Sequence, residues 1–230
     1  MKDRIIVALD TDSPEAALGT VSSLSGEVGL FKVGMELFPR GGPDLVGRIR
    51  GAGADVFLDL KFHDIPNTVA GAVRSAVSLG VKFATVHASG GKAMLSAAAD
   101  AARGSKTMIL AVTVLTSLDD ADLASIGFSD RAADAVDRLA GLAVQSGIRG
   151  IVCSAKEVAI IRSRVGKDVV LVTPGVRLPE NAAGDQKRVV TPSEAIRAGA
   201  DYIVVGRPIT RAADPVAAAR EFAADMARPA

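Results

Sequence analysis

Val56-Phe57-Leu58-Asp59-Leu60-Lys61-Phe62-His63-Asp64-Ile65-Pro66-Asn67-Thr68 begins as a buried strand and ends as a helix start. Charges stand where a strand covered by helices should have none. Side chains alternate faces along a strand, so Asp59 and Lys61 are expected on one face, with Phe57 below them. Leu58, Leu60 and Phe62 take the other face, against covering helices. Asp64 follows at the strand's exit, and Pro66 suits the first turn of a helix. An acid, a base and a second acid are thus gathered at the carboxyl end of one strand.

The same unit recurs on both sides. Upstream, Ile5 to Asp10 is a β-branched run ending in a carboxylate, and Ser13-Pro14-Glu15 opens a helix with Ser as cap and Pro at the first helical position. Leu30-Phe31-Lys32-Val33 is a second strand with a lysine among apolar neighbours. Downstream, strands are expected at Phe83–Ala88, Met108–Leu115, Ile151–Ser154, Val169–Thr173 and Tyr202–Val205. Helical sequence fills the gaps, with a break near Gly127 in the segment 118–146. Thr191-Pro192-Ser193-Glu194 is a capping-box start, and a last helix runs from about Asp214 to Met226. The connection from Pro174 to Val190 is unusually long, and such loops are commonly functional.

Eight strand–helix units with no linker between them predict an α/β chain folded as one (β/α)8 barrel, a single domain over residues 1–230. The strands are mostly continuous apolar runs, as in a parallel sheet covered by helices. A doubly wound open sheet competes, but no G-x-G-x-x-G follows the first strand.

Composition narrows the function. The chain has 230 residues and is 49% hydrophobic, enough for a sizeable core. Aromatics are only 3% and Trp is absent, which argues against stacking on nucleic-acid bases. The 27 basic and 26 acidic residues leave a net charge of +1, so no electrostatic case arises for nucleic acid or a membrane surface. Cys153 is the only cysteine; its apolar neighbours mark a buried structural thiol rather than a nucleophile. No signal-peptide pattern and no bilayer-length apolar run is present, so a soluble, cytoplasmic protein is expected. His63 and His87 stand apart and lack the spacing of a metal site; His63 reads as a structural donor and His87 as a barrel-rim residue. Neither a metal nor a cofactor is expected.

Active sites of such barrels lie at the carboxyl ends of the strands. Asp10, Lys32, Asp59, Lys61, Thr116 and Gly206-Arg207 all fall there. Taken singly, Lys32 could snorkel or pair with a structural acid, Asp10 could sit in a turn, and Asp64 could cap the next helix. Their gathering at one rim favours a shared site. Gly206 lets backbone approach a ligand closely, and Arg207 supplies a positive fork suited to phosphate. Alternating Lys32, Asp59, Lys61 and Asp64 would form a fixed charge network. It would repel a substrate carboxylate and welcome the carbanion left when carbon dioxide departs, with Lys61 as proton donor and no metal needed.

These residues resemble the orotidine 5′-phosphate decarboxylase family. The likeness rests on Asp59-Leu60-Lys61-Phe62-His63-Asp64-Ile65-Pro66-Asn67-Thr68. It extends to Ala8-Leu9-Asp10, Phe31-Lys32-Val33-Gly34, Val114-Leu115-Thr116-Ser117, Thr173-Pro174-Gly175-Val176-Arg177, Gly184-Asp185-Gln186 and Val205-Gly206-Arg207-Pro208-Ile209. It covers nearly the whole chain in order. The resemblance implies conversion of orotidine 5′-monophosphate to uridine 5′-monophosphate and carbon dioxide. It implies Lys61 as proton donor, Asp59 beside the substrate carboxylate, Lys32 in the network and at the ribose, and Asp10 on a ribose hydroxyl. Asp64 and Thr68 would reach a partner's active site, making a homodimer with shared sites, and Ile65 would be a substrate-binding residue. Thr116 and Ser117 would lie near the pyrimidine. Gln186 would bridge base and phosphate from the long loop, which would close on the phosphate. Pro174, Arg177, Gly206 and Arg207 would complete the substrate site, the two arginines and the glycine at its phosphate end.

Two rivals stay open at this point. A magnesium-dependent 3-keto-hexulose-phosphate decarboxylase or synthase shares the barrel and the D-x-K-x-x-D core. A non-catalytic phosphate-binding barrel would bind ligand without turnover.

Overall fold

The eight expected strands all form, and their order in the sheet is their order in the chain. In the computed structural model, which describes residues 1–179 and 190–228, they are β1 (Ile5–Ala8), β2 (Leu30–Gly34), β3 (Asp55–Phe62), β4 (Phe83–His87), β5 (Met108–Val112), β6 (Gly150–Val152), β7 (Val170–Pro174) and β8 (Tyr202–Val205). Each pairs in parallel with the next, and β8 pairs with β1, closing the barrel. Parallel neighbours need a crossover, and helices supply it: α1 (Pro14–Leu24), α2 (Phe38–Gly51), α3 (Pro66–Ser78), α4 (Gly91–Ala102), α5 (Asp120–Ser125), α6 (Ala132–Gln145), α7 (Val158–Val165), α8 (Pro192–Ala198), α9 (Arg207–Thr210) and α10 (Pro215–Met226).

Local chemistry sets the helix starts. The Ser13 side chain accepts the Ala16 N–H at α1, and Thr191 and Glu194 make a reciprocal capping box at α8. The expected break near Gly127 separates α5 from α6, with Gly127 at φ +89°. The short α9 falls where only a glycine turn and an arginine are evident in the sequence.

Alternation along the strands sorts the core into two layers. Outward residues such as Ile5, Phe31, Leu58, Ala84, Ile151 and Ile203 pack against the helices. Inward residues Ile6, Leu30, Phe57, Phe83, Leu110, Val172 and Val204 fill the barrel. Phe83 meets Phe57 and Tyr202 edge to face, with centroids 6.0 and 5.3 Å apart, which plugs the lower barrel. Above that floor, at the mouth, inward charged side chains face a cavity.

Candidate active site

At the carboxyl ends of β1 to β3, four charges alternate in sign. Lys61 Nζ donates to both Asp59 oxygens at 2.9 Å. Lys32 Nζ lies 3.6 Å from Asp59 Oδ2 and 3.1 Å from Asp10 Oδ1. Asp59 is only 9% exposed, so its charge depends on those two ammonium groups and on hydrogen bonds. Within this chain the alternation runs Asp10, Lys32, Asp59, Lys61. Asp10 extends the series at its Lys32 end, and Asp64 is not part of it within this chain.

Asp59 and Lys61 do share a face, but not by plain alternation. Leu58 pairs with Ala84 and Phe62 with Val86, so three residues of β3 stand opposite the single residue Thr85 of β4. This bulge puts Lys61 at φ +50°, the only non-glycine residue with positive φ among those described. The Thr85 hydroxyl, fully buried, accepts the Lys61 N–H at 2.8 Å and donates to Asp59 Oδ1 at 3.0 Å. Sequence reasoning passed over Thr85. Its signal was available: Phe83, Thr85 and His87 alternate inward on β4, and the middle one is polar.

Gly34 at the end of β2 makes room for this cluster, since a Cβ there would stand 2.9 Å from Lys32 Nζ. At the rim, His87 is half-buried and its ring lies 5.4 Å from that of His63. Burial, then the charges of His63 and Lys61, lower the His87 pKa and favour the neutral imidazole beside the lysine. Among the described residues no group of three or more His, Cys, Asp or Glu side chains is arranged to hold a metal ion.

The charges open into a cavity of about 270 Å³. Lys32, Asp59 and Lys61 line one side; Val112, Val152 and Val204 give an apolar wall; Thr116, Ser117 and Pro174 stand at the edge. A flat apolar ring with a polar margin suits such a space. A neighbouring hollow of about 490 Å³ shares Thr116 and Pro174 and extends to Lys156 and Glu157. A third hollow, of about 380 Å³, opens at the opposite end of the barrel near Arg103, Lys106 and Arg149. Its Ser105, Thr107 and Ser146 hydroxyls already donate to backbone carbonyls, leaving the mouth as the chemically equipped end.

The remaining candidates lie around that mouth. Gly206 follows β8, and a Cβ there would be 3.7 Å from Asp10 Oδ2, so the ends of β1 and β8 meet. Arg207 is exposed and opens α9; Arg177 is half-buried, and its N–H donates to the Val190 carbonyl at 3.2 Å. Gln186 lies outside the described residues. Asp64, Ile65 and Thr68 are exposed on the lip between β3 and α3, with Ile65 at 67%. Asp64 accepts the Ile65 N–H at 2.6 Å and makes no ion pair among the described residues. Cys153 is buried, and burial pushes its thiol up to about 12, which leaves it unreactive.

A profile of the orotidine 5′-phosphate decarboxylase / HUMPS family matches residues 3–222. The chain belongs to that family. Its relatives include an orotidine 5′-phosphate decarboxylase of Idiomarina loihiensis, 54% identical over 95% of this chain and 96% of that protein. Another, from Saccharophagus degradans, is 48% identical over 98% of this chain and 95% of that one. Among solved structures, orotidine 5′-phosphate decarboxylase from Lactobacillus acidophilus superposes with a TM-score of 0.87 at 39% identity, covering 97% of this chain and 99% of that one. The family description spans more than one activity, so the full-length decarboxylase relatives carry the finer distinction.

Proposed function

We infer that this chain decarboxylates orotidine 5′-monophosphate to uridine 5′-monophosphate, the closing step of pyrimidine synthesis, as a carboxy-lyase. The observation that carries the reading is the Lys61–Asp59 pair facing an apolar cavity at the barrel mouth, in a chain about half identical to named decarboxylases over its full length.

The chemistry follows from the charges. With the pyrimidine against the valine wall, the substrate carboxylate would face Asp59, and like charges there raise the energy of the bound acid. The bond from C6 to the carboxylate breaks, its electron pair stays on C6, and carbon dioxide leaves. Lys61 then donates its proton to C6. The fixed ammonium groups stabilise the carbanion with little reorganisation, because Asp59 holds Lys61 and Lys32 in place beforehand.

In this reading Lys32 and Asp10 hold the ribose, Thr116 and Ser117 border the base with Pro174, and Arg177, Gly206 and Arg207 receive the phosphate. Asp64, Ile65 and Thr68 complete the site of a second subunit, so the enzyme works as a cytoplasmic homodimer. Their common exposure beside the mouth, with Asp64 outside the charge series of its own chain, supports that part.

Incubation with orotidine 5′-monophosphate, followed by ultraviolet absorbance and carbon dioxide release, tests the reading. Turnover that survives chelation, and falls by at least about 10³-fold in Lys61→Ala with nucleotide binding kept, is expected. Turnover lost on chelation and restored by magnesium would favour the hexulose-phosphate rival. Binding with no turnover would favour the non-catalytic barrel.

A further inference from the structure

We propose that Thr85 is a positioning residue for the proton donor. The inference rests on the reading of Lys61 as that donor. Thr85 acts through two residues of β3 and through one oxygen.

A hydroxyl has a single proton. The Lys61 N–H points at Thr85 Oγ1 from 2.8 Å, so that oxygen accepts there and its own proton is free for Asp59 Oδ1, 3.0 Å away. The direction of both bonds is therefore settled by counting protons. The side chain is fully buried, which leaves water no share in satisfying either group.

The two bonds fix the two things that Lys61 needs. The first concerns the backbone. Three residues of β3 face one of β4, and the ordinary ladder is interrupted between Leu58 and Phe62. The Lys61 N–H falls in that interruption and takes a side-chain oxygen in place of a strand carbonyl. That bond helps hold Lys61 at φ +50°, a conformation that side chains with a Cβ rarely adopt. The turn sends Nζ back over Asp59, at 2.9 Å from each oxygen.

The second concerns the carboxylate. Asp59 Oδ1 receives Lys61 and Thr85, while Oδ2 receives Lys61 and faces Lys32. The plane of the carboxylate is set by donors on three strands, β2, β3 and β4. Removing the hydroxyl frees the carboxylate to rotate and leaves a buried N–H without its partner, while every charged group remains present.

The test compares Thr85→Val, which keeps the shape and loses the hydroxyl, with Thr85→Ser, which keeps the hydroxyl. For Thr85→Val the expected result is a fall in kcat of about 10- to 100-fold. KM for orotidine 5′-monophosphate and affinity for uridine 5′-monophosphate should stay within about threefold of the parent. Thr85→Ser should return kcat to within about threefold of the parent. A folded Thr85→Val with parental kcat overturns the proposal, as does a Thr85→Ser variant no better than Thr85→Val. Should Thr85→Val fail to fold, Thr85→Ala is read for the same split. If it too fails to fold, or loses kcat and nucleotide affinity in equal measure, Thr85 serves structure alone and the proposal falls.

Lys61→Ala run in parallel separates the two readings. An active parent with an inactive Lys61→Ala and a fully active Thr85→Val sinks this inference alone. A Lys61→Ala variant as active as the parent sinks the proton-donor reading and this inference with it.

Discussion

Gly34 lies against the ammonium of Lys32, and its missing side chain is what leaves that ammonium between Asp10 and Asp59. A methyl group there would stand 2.9 Å from Nζ, closer than real contacts allow. The tail of a lysine moves easily, so the fold should absorb Gly34→Ala. The charge series should not. We expect kcat/KM to fall about tenfold or more, since small misplacements of a reacting group are costly. The melting temperature should change little. Steady-state kinetics beside a thermal melt would check this, and unchanged turnover would mean that Lys32 need not sit where it does. The residue types of the site were legible in the sequence: Asp10, Lys32, Asp59 and Lys61 all stand at strand ends. Thr85 and Gly34 were not singled out, because a hydroxyl and a hydrogen atom acquire their roles only from what a neighbouring strand brings near.

The elements are joined by side chains that reach across several of them. Arg162 on α7 donates to the Gly166 carbonyl at 2.6 Å and to the Val169 carbonyl at 2.7 Å, both leading into β7. It also donates to the Gly199 carbonyl at 2.7 Å after α8 and to Asp201 Oδ2 at 2.6 Å before β8. The same Asp201 oxygen accepts the Leu171 N–H of β7 at 2.8 Å. One guanidinium thus ties the lower ends of two strands to two helices. Arg162→Ala should cost about 2–4 kcal/mol of stability, because it strands an acid and several half-buried carbonyls. Arg162→Lys should recover only part, since an ammonium cannot reproduce the planar fork. Urea denaturation would measure both. The folded variants should keep parental kcat, because Arg162 lies far down the barrel from the mouth. Helix starts at Ser13, Pro66 and Thr191 were readable from local chemistry. The β3 bulge was not, because a regular strand and a bulged one have the same alternating sequence until the partner strand is known.

At the scale of the whole molecule, closure matters most. β8 pairs with β1, and Arg4 donates to the Asp201 and Ala200 carbonyls at 2.7 and 2.6 Å beneath that seam. Closure brings Gly206 against Asp10, residues far apart in the chain. The proposed dimer extends the same logic to a second chain. Mixing Asp64→Ala with Lys61→Ala subunits should create hybrids with one intact site, giving about a quarter of parental activity at equal mixing. Native mass spectrometry of differently tagged subunits would confirm exchange. No recovery after verified exchange would count against shared sites. No helix among the described residues is long and apolar enough to cross a membrane.

By itself the sequence determined the alternation of strands and helices, the caps, the order of the units and the rim on which the charged side chains would stand. These follow from short-range rules of period, propensity and turn chemistry, which act within a few residues. Only the tertiary structure decided that Lys61 takes a left-handed backbone, that Thr85 bonds to it and to Asp59, and that Asp10 rather than Asp64 continues the charge series within one chain. Each of those depends on atoms from different strands coming within about 3 Å. That proximity belongs to the closed barrel and to no single stretch of the chain.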